Sequence, residues 1–125
     1  MNKEEMDEFL VSIGGLERTY LEDKGPILDA HYFTVYEGWY PLIKDLINEL
    51  IALGWDKRIA QVKEKFGGLR FYIETYSEGY QEVISKYERL SYKTCEKCGN
   101  DGTNRKIKNW LCTLCDEHAK EKDEE

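Results

Sequence analysis

The sequence predicts an α+β fold: amphipathic helices over a small antiparallel sheet, followed by a separate cysteine-rich C-terminal element. Three observations predict it. Apolar residues keep a 3.6-residue period from Trp39 to Ile51. Leu69, Phe71 and Ile73 alternate with Arg70, Tyr72 and Glu74 directly after Gly67-Gly68. Cys95, Cys98, Cys112, Cys115 and His118 crowd the last third of the chain.

Taken in order, Met6, Phe9, Leu10 and Ile13 form one apolar stripe, so a helix is expected over 3–13, stopped by Gly14-Gly15. Leu16, Tyr20 and Leu21 suit a further helical turn broken at Gly25-Pro26. Residues 30–36 read as a short strand or a packed aromatic loop, and the lone His31 there reads as a half-buried polar residue rather than a catalyst. The strongest helix runs from Trp39 through Leu42, Ile43, Leu46, Ile47, Leu50 and Ile51, with Pro41 in its first turn and Gly54 as its stop. A strand over 57–66 should turn Ala60, Val62 and Phe66 to one side, reverse at Gly67-Gly68, and return through Leu69, Phe71 and Ile73. A last core helix over 80–92 should point Val83, Ile84, Tyr87 and Leu90 inward. Trp39, Leu46, Ile47, Leu50, Phe71 and Ile73 are the expected main core. The organisation that follows is an α+β core over 1–93 and a C-terminal element over 94–125 packed on it.

Charge narrows the functional classes. The formal net charge is −7, and residues 1–54 carry 4 positive and 11 negative side chains. Residues 55–93 carry 8 and 6, and residues 94–111 carry 4 and 2, so the middle is locally basic. A general nucleic-acid binder would show an overall basic excess. No run approaches the length of a membrane span. The opening Met1-Asn2-Lys3-Glu4-Glu5 is acidic and lacks an apolar stretch, so no secretion signal is expected and disulfides are disfavoured.

The cysteine spacing calls for a structural zinc ion. Cys-x2-Cys brings two thiolates to one metal from a single tight turn, and a second pair on the next element completes a tetrahedron. Two ligand sets fit the spacing. One is Cys95, Cys98, Cys112 and Cys115. The other replaces Cys112 with His118, and local chemistry leans to it. Thr113 and Asp116 read as a capping box with Leu114 as the first helical residue, which puts Cys115 and His118 on one helix face. The layout resembles a treble clef: a knuckle at Cys95–Gly99, a hairpin turning near Asn100-Asp101-Gly102 and returning on 107–111, then a short helix. Gly99 suits a knuckle position with positive φ.

The decapeptide Lys63-Glu64-Lys65-Phe66-Gly67-Gly68-Leu69-Arg70-Phe71-Tyr72 follows the helix opened by Gly38-Trp39. Thr94-Cys95-Glu96-Lys97-Cys98-Gly99 comes next, then Trp110-Leu111-Cys112-Thr113-Leu114-Cys115-Asp116-Glu117-His118. This order is similar to a group of small bacteriophage- and prophage-encoded proteins with a zinc-binding end. The resemblance covers residues 38–118 and implies a phage or bacterial cytoplasmic setting. Its Trp-x-x-Thr-Leu-Cys-x-x-His pattern implies that Cys112 is an extra cysteine, which favours His118 as ligand. It brings no activity.

A second candidate surface is the outer hairpin face, with Gln61, Lys63, Lys65, Arg70, Tyr72 and Tyr76. Cations interleaved with aromatics bind phosphate and stack bases. The bland reading is an ordinary solvated sheet face. The chain has no nucleophile elbow, His-Glu zinc-protease helix or Walker motif, and a zinc with four protein ligands has no open position for water. The expectation is a non-enzymatic, zinc-stabilised interaction protein of phage origin with a protein partner, acting on a host enzyme or defence system. The rival is a nucleic-acid or nucleotide binder using the hairpin face.

Overall fold

The structure is a computed structural model that describes residues 1–13 and 33–125. Its described elements are α1 (Lys3–Ile13), β1 (Phe33–Thr34), α2 (Tyr40–Ala52), β2 (Ile59–Lys65), β3 (Gly68–Ile73), α3 (Glu78–Ser91), β4 (Thr103–Ile107), β5 (Trp110–Leu114) and α4 (Asp116–Glu124). The fold is α+β. The expectations for Gly14-Gly15, Leu16 to Pro26 and His31 lie outside the described residues. Among the described residues no helix is long and apolar enough to cross a membrane.

The apolar period of α2 buries Ile43, Leu46, Ile47 and Leu50 completely. The helix ends in a Schellman motif. The Trp55 amide donates to the Leu50 carbonyl at 3.1 Å and the Gly54 amide to Ile51 at 2.9 Å. Gly54 carries φ 92°, a conformation that L side chains rarely adopt. Trp55 is thereby turned inward, edge-on to Phe71 at 6.3 Å between ring centroids. Met6 and Leu10 of α1 join the same core, as do Phe33, Ile59, Val62, Leu69, Ile84 and Tyr87. Of the expected core residues only Ile73 is partly exposed, packed at the margin.

The main sheet has the order β1-β2-β3. β1 runs parallel to β2, with Phe33 opposite Val62, and β2 runs antiparallel to β3. Two expectations fail in this hairpin. Ile59 pairs with Ile73 while Gln61 pairs with Tyr72, so Ala60 is an extra residue in a bulge. The bulge shifts the pleat, and Ile59 with Val62, not Ala60 with Val62 and Phe66, faces the core. The turn is Phe66-Gly67 rather than Gly67-Gly68: both have positive φ, the pattern of a type I′ turn, and Gly68 already pairs with Lys65. Phe66 therefore projects from the tip, 61% exposed.

Helix α3 lies against β3 and α2. It covers the outer edge of β3 with side chains: Ser91 Oγ accepts from the Leu69 amide at 2.9 Å, and Glu88 Oε2 accepts from the Phe71 amide at 3.0 Å. Ile84 and Tyr87 point inward and Val83 packs at the margin, but Leu90 is exposed, contrary to expectation. The inward stripe continues from Tyr87 to Ser91, which leaves Leu90 off the buried face.

The C-terminal element has its own small buried cluster of Cys95, Ile107, Cys112, Leu114 and Ala119. Its hairpin turns at Lys108-Asn109, both with positive φ, not near Asn100–Gly102. The latter segment instead closes the knuckle: Thr94 bridges to Asp101, and the Gly102 amide donates to Lys93 at 2.8 Å.

Candidate metal centre

Tight backbone hydrogen bonds shape the knuckle. The Gly99 amide donates to the Cys95 carbonyl at 2.9 Å and the Cys95 amide to Asn100 at 2.7 Å. Gly99 has φ 83°, as the sequence led one to expect. The knuckle presents Cys95, fully buried, and Cys98, exposed, on the same side.

The second half of the site comes from the start of α4. Cys115 is the N-cap of this helix, and its sulfur accepts from the His118 amide at 3.5 Å. A cap and the residue three positions on share the first turn, so the two side chains meet. His118 Nδ1 lies 3.2 Å from Cys115 Sγ and 3.6 Å from Cys95 Sγ, and Cys98 Sγ lies 3.8 Å from Cys115 Sγ. One ligand atom from each of Cys95, Cys98, Cys115 and His118 falls within 4.8 Å of the other three. The far nitrogen of the ring, Nε2, faces Glu121 at 3.9 Å.

Cys112 is not a member of this group. It sits within β5, 1% exposed, with its sulfur 3.7 Å from the Arg105 carbonyl oxygen. The capping-box expectation fails for the same reason. Thr113 and Leu114 belong to the strand, and the helix begins two residues later than expected, at Asp116. His118 still reaches the cluster, because Cys115 itself caps the helix.

The thiols differ electrostatically. Burial pushes Cys95 up, but hydrogen bonds from the Cys115, Cys98 and Lys97 amides more than offset this and hold it at about 7. Cys98 receives the Asn100 amide, which lowers it, yet burial and its sulfur neighbours leave it above the ordinary value. Burial raises Cys112. Fixed amide dipoles thus favour the thiolate at Cys95, whereas burial favours the neutral thiol at Cys112.

Several contacts around the cluster carried no sequence signal. Thr113 is fully buried between the two hairpins. Its hydroxyl donates to the Gly67 carbonyl at 2.6 Å, and its amide donates to Glu96 Oε2 at 3.3 Å. The Glu96 amide returns a bond to the Thr113 carbonyl at 3.0 Å. Burial raises the Glu96 carboxyl while the Thr113 amide opposes it. Trp39 Nε1 donates to the Thr94 carbonyl at 2.9 Å, tying α2 to the knuckle. Arg105 closes the far side, donating to the Leu114 carbonyl at 2.9 Å and to Asp116 at 3.1 Å. Each partner is distant in sequence, so local pattern could not reveal it.

The hairpin residues lie apart from this centre in a defined register. Lys63 is opposite Arg70, Gln61 opposite Tyr72, and Lys65 opposite Gly68. Arg70 is not a free side chain: its guanidinium donates to the Leu69 carbonyl and to the Tyr92 hydroxyl, both at 2.9 Å. Tyr76 is 74% exposed, beyond the end of β3. Comparison with protein-family models, curated proteins and solved structures finds no match.

Proposed function

We propose that Cys95, Cys98, Cys115 and His118 hold one structural Zn(II) ion, and that the chain is a non-enzymatic interaction protein whose C-terminal element is completed by that ion in a treble-clef-like arrangement. The observation that carries the reading is the spacing of the ligand atoms. Zn–S bonds of about 2.3 Å and Zn–N bonds of about 2.0–2.1 Å give tetrahedral edges of roughly 3.8 Å between sulfurs and 3.6 Å between sulfur and nitrogen. Two separations match these edges, 3.8 Å for Cys98–Cys115 and 3.6 Å for Cys95–His118; Cys115–His118 is shorter at 3.2 Å, and all four ligand atoms lie within 4.8 Å of one another. Three thiolates and an imidazole are soft and borderline donors of the kind zinc takes, and four protein ligands leave no position for a reacting water.

The partner we favour is a protein in a bacterial cell, a host enzyme or defence component, in keeping with the resemblance of residues 38–118 to phage-encoded chains. Metal analysis of protein purified without oxygen should find one zinc per chain. Cys112→Ser should keep it, and Cys115→Ser and His118→Ala should lose it. A metal-free wild type, or zinc loss in Cys112→Ser alone, overturns the ligand set. Co-purification from bacterial lysate should capture the same protein with wild type and Cys112→Ser but not with Cys115→Ser.

A second reading, binding of nucleic acid through the hairpin, is favoured by one observation. Three cation–aromatic pairs recur there: Lys63 over Tyr72, Lys65 over Phe66 and Arg70 over Tyr92.

A further inference from the structure

We propose that the outer face of the β2–β3 hairpin, continued by the C-terminal end of α3, is a track for single-stranded nucleic acid. The proposal rests on the second reading above and is independent of the metal.

Tyr92 joins the two parts of the track. Its ring lies on the sheet surface at Gly68, where an added Cβ would come within 2.7 Å of Cε1 and the ring would have to shift to admit it. Its hydroxyl accepts from Arg70 at 2.9 Å, and the guanidinium carbon sits 5.9 Å from the ring centroid. On the other side Tyr92 lines a groove of about 420 Å³ with Lys86, Arg89, Leu90 and Lys93. Outward along the hairpin stand Lys63, 5.7 Å from the Tyr72 centroid, and Lys65, 5.6 Å from that of Phe66.

Charge complementarity selects an anion. Lys63, Lys65, Arg70, Arg89 and Lys93 gather here in a chain of net charge −7. Of the carboxylates close by in sequence, Glu64 accepts from the Gly67 amide at 2.6 Å, Glu88 accepts from the Phe71 amide while also facing the Arg70 charge, and Glu78 and Glu82 share a groove with Arg89. Glu49 pairs with Lys86 at 2.7 Å, which leaves that lysine neutralised. The aromatics select the kind of anion. Tyr72 is 43% exposed and Phe66 61%, each beside a lysine. Exposed rings alternating with cations stack unpaired bases while the cations meet phosphates, and a duplex keeps its base faces hidden. An acidic protein segment would use the charges and leave the rings idle.

The test is fluorescence anisotropy with the zinc-loaded full chain and labelled oligonucleotides of about 20 nucleotides, dT or rU, against a duplex of equal length and against polyglutamate. If four of the five cations meet phosphates, the log–log salt slope is about −2.8, roughly a 50-fold loss from about 50 to about 200 mM salt. Lys63→Ala combined with Arg89→Ala should flatten that slope. Tyr72→Ala should weaken binding at least about fivefold with the slope unchanged, and Tyr72→Phe should restore it. Lys120→Ala, on α4, should bind as wild type. Thermal melting and zinc content show that each variant is folded. No binding at the lower salt overturns the proposal. So does equal affinity for the duplex. Polyglutamate competing as well as dT per charge, with Tyr72→Ala unaltered, makes this an acidic-protein surface instead.

Discussion

Gly38 and Cys95 meet through backbone alone. The Gly38 amide donates to the Glu96 carbonyl oxygen at 2.9 Å, and a Cβ on Gly38 would contact the Cys95 carbonyl oxygen and stand 2.6 Å from that of Glu96. These obstacles are main-chain atoms of the knuckle and cannot rotate aside. The residue that opens the central helix region is thus also the floor under Cys95, the first cysteine of the cluster.

Gly38→Ala should therefore cost about 1–3 kcal/mol by overpacking and should also speed zinc loss to a chelator. Competition with a colourimetric chelator, alongside a denaturant melt, measures both. Unchanged zinc release would show that the contact does not tension the knuckle.

Leu46→Ala should cost about 2–5 kcal/mol, because Leu46 is fully buried on α2. Zinc content should be unchanged, since the C-terminal cluster is built from other residues. A melt that does not shift would place Leu46 on the wrong face.

Ser91→Ala removes the acceptor for the buried Leu69 amide. A buried donor left without a partner costs about 1–3 kcal/mol. The loss should appear in equilibrium urea unfolding, and Ser91→Thr, which keeps a hydroxyl, should recover part of it. Equal stability of Ser91→Ala and wild type contradicts the edge-covering role of α3.

Glu88 gives a pH signature. Burial raises its carboxyl above the ordinary value, against the opposing Phe71 amide and Arg70 charge. A raised folded-state value means that ionisation penalises the folded form. That penalty is absent below the unfolded value, grows as pH rises through the folded one, and then stays. Glu88→Gln keeps an acceptor oxygen for Phe71 without the charge, so its stability relative to wild type should be greater at about pH 7 than at about pH 4. A relative stability that is flat or falls with pH would overturn this.

What the sequence by itself determined was local. The α2 stripe, its Gly54 stop and the alternation in β3 follow from periods of 3.6 and 2, set by backbone geometry. The Cys95-x2-Cys98 and Cys115-x2-His118 spacings each describe one turn of chain, so the four clustered side chains were legible as a candidate set, with Cys112 as the alternative. The tertiary structure places Cys112 outside the cluster, in a strand whose pleat turns its sulfur toward Arg105. It also decided what periodicity misassigned. A one-residue bulge at Ala60 brought Ile59 inward, and the Phe66-Gly67 turn left Phe66 in solvent. The buried partners of Thr113, Ser91 and Gly38 lie 46, 22 and 58 positions away. A hydrogen bond between such residues exists only once packing has brought them together, and no short-range pattern in the chain records it.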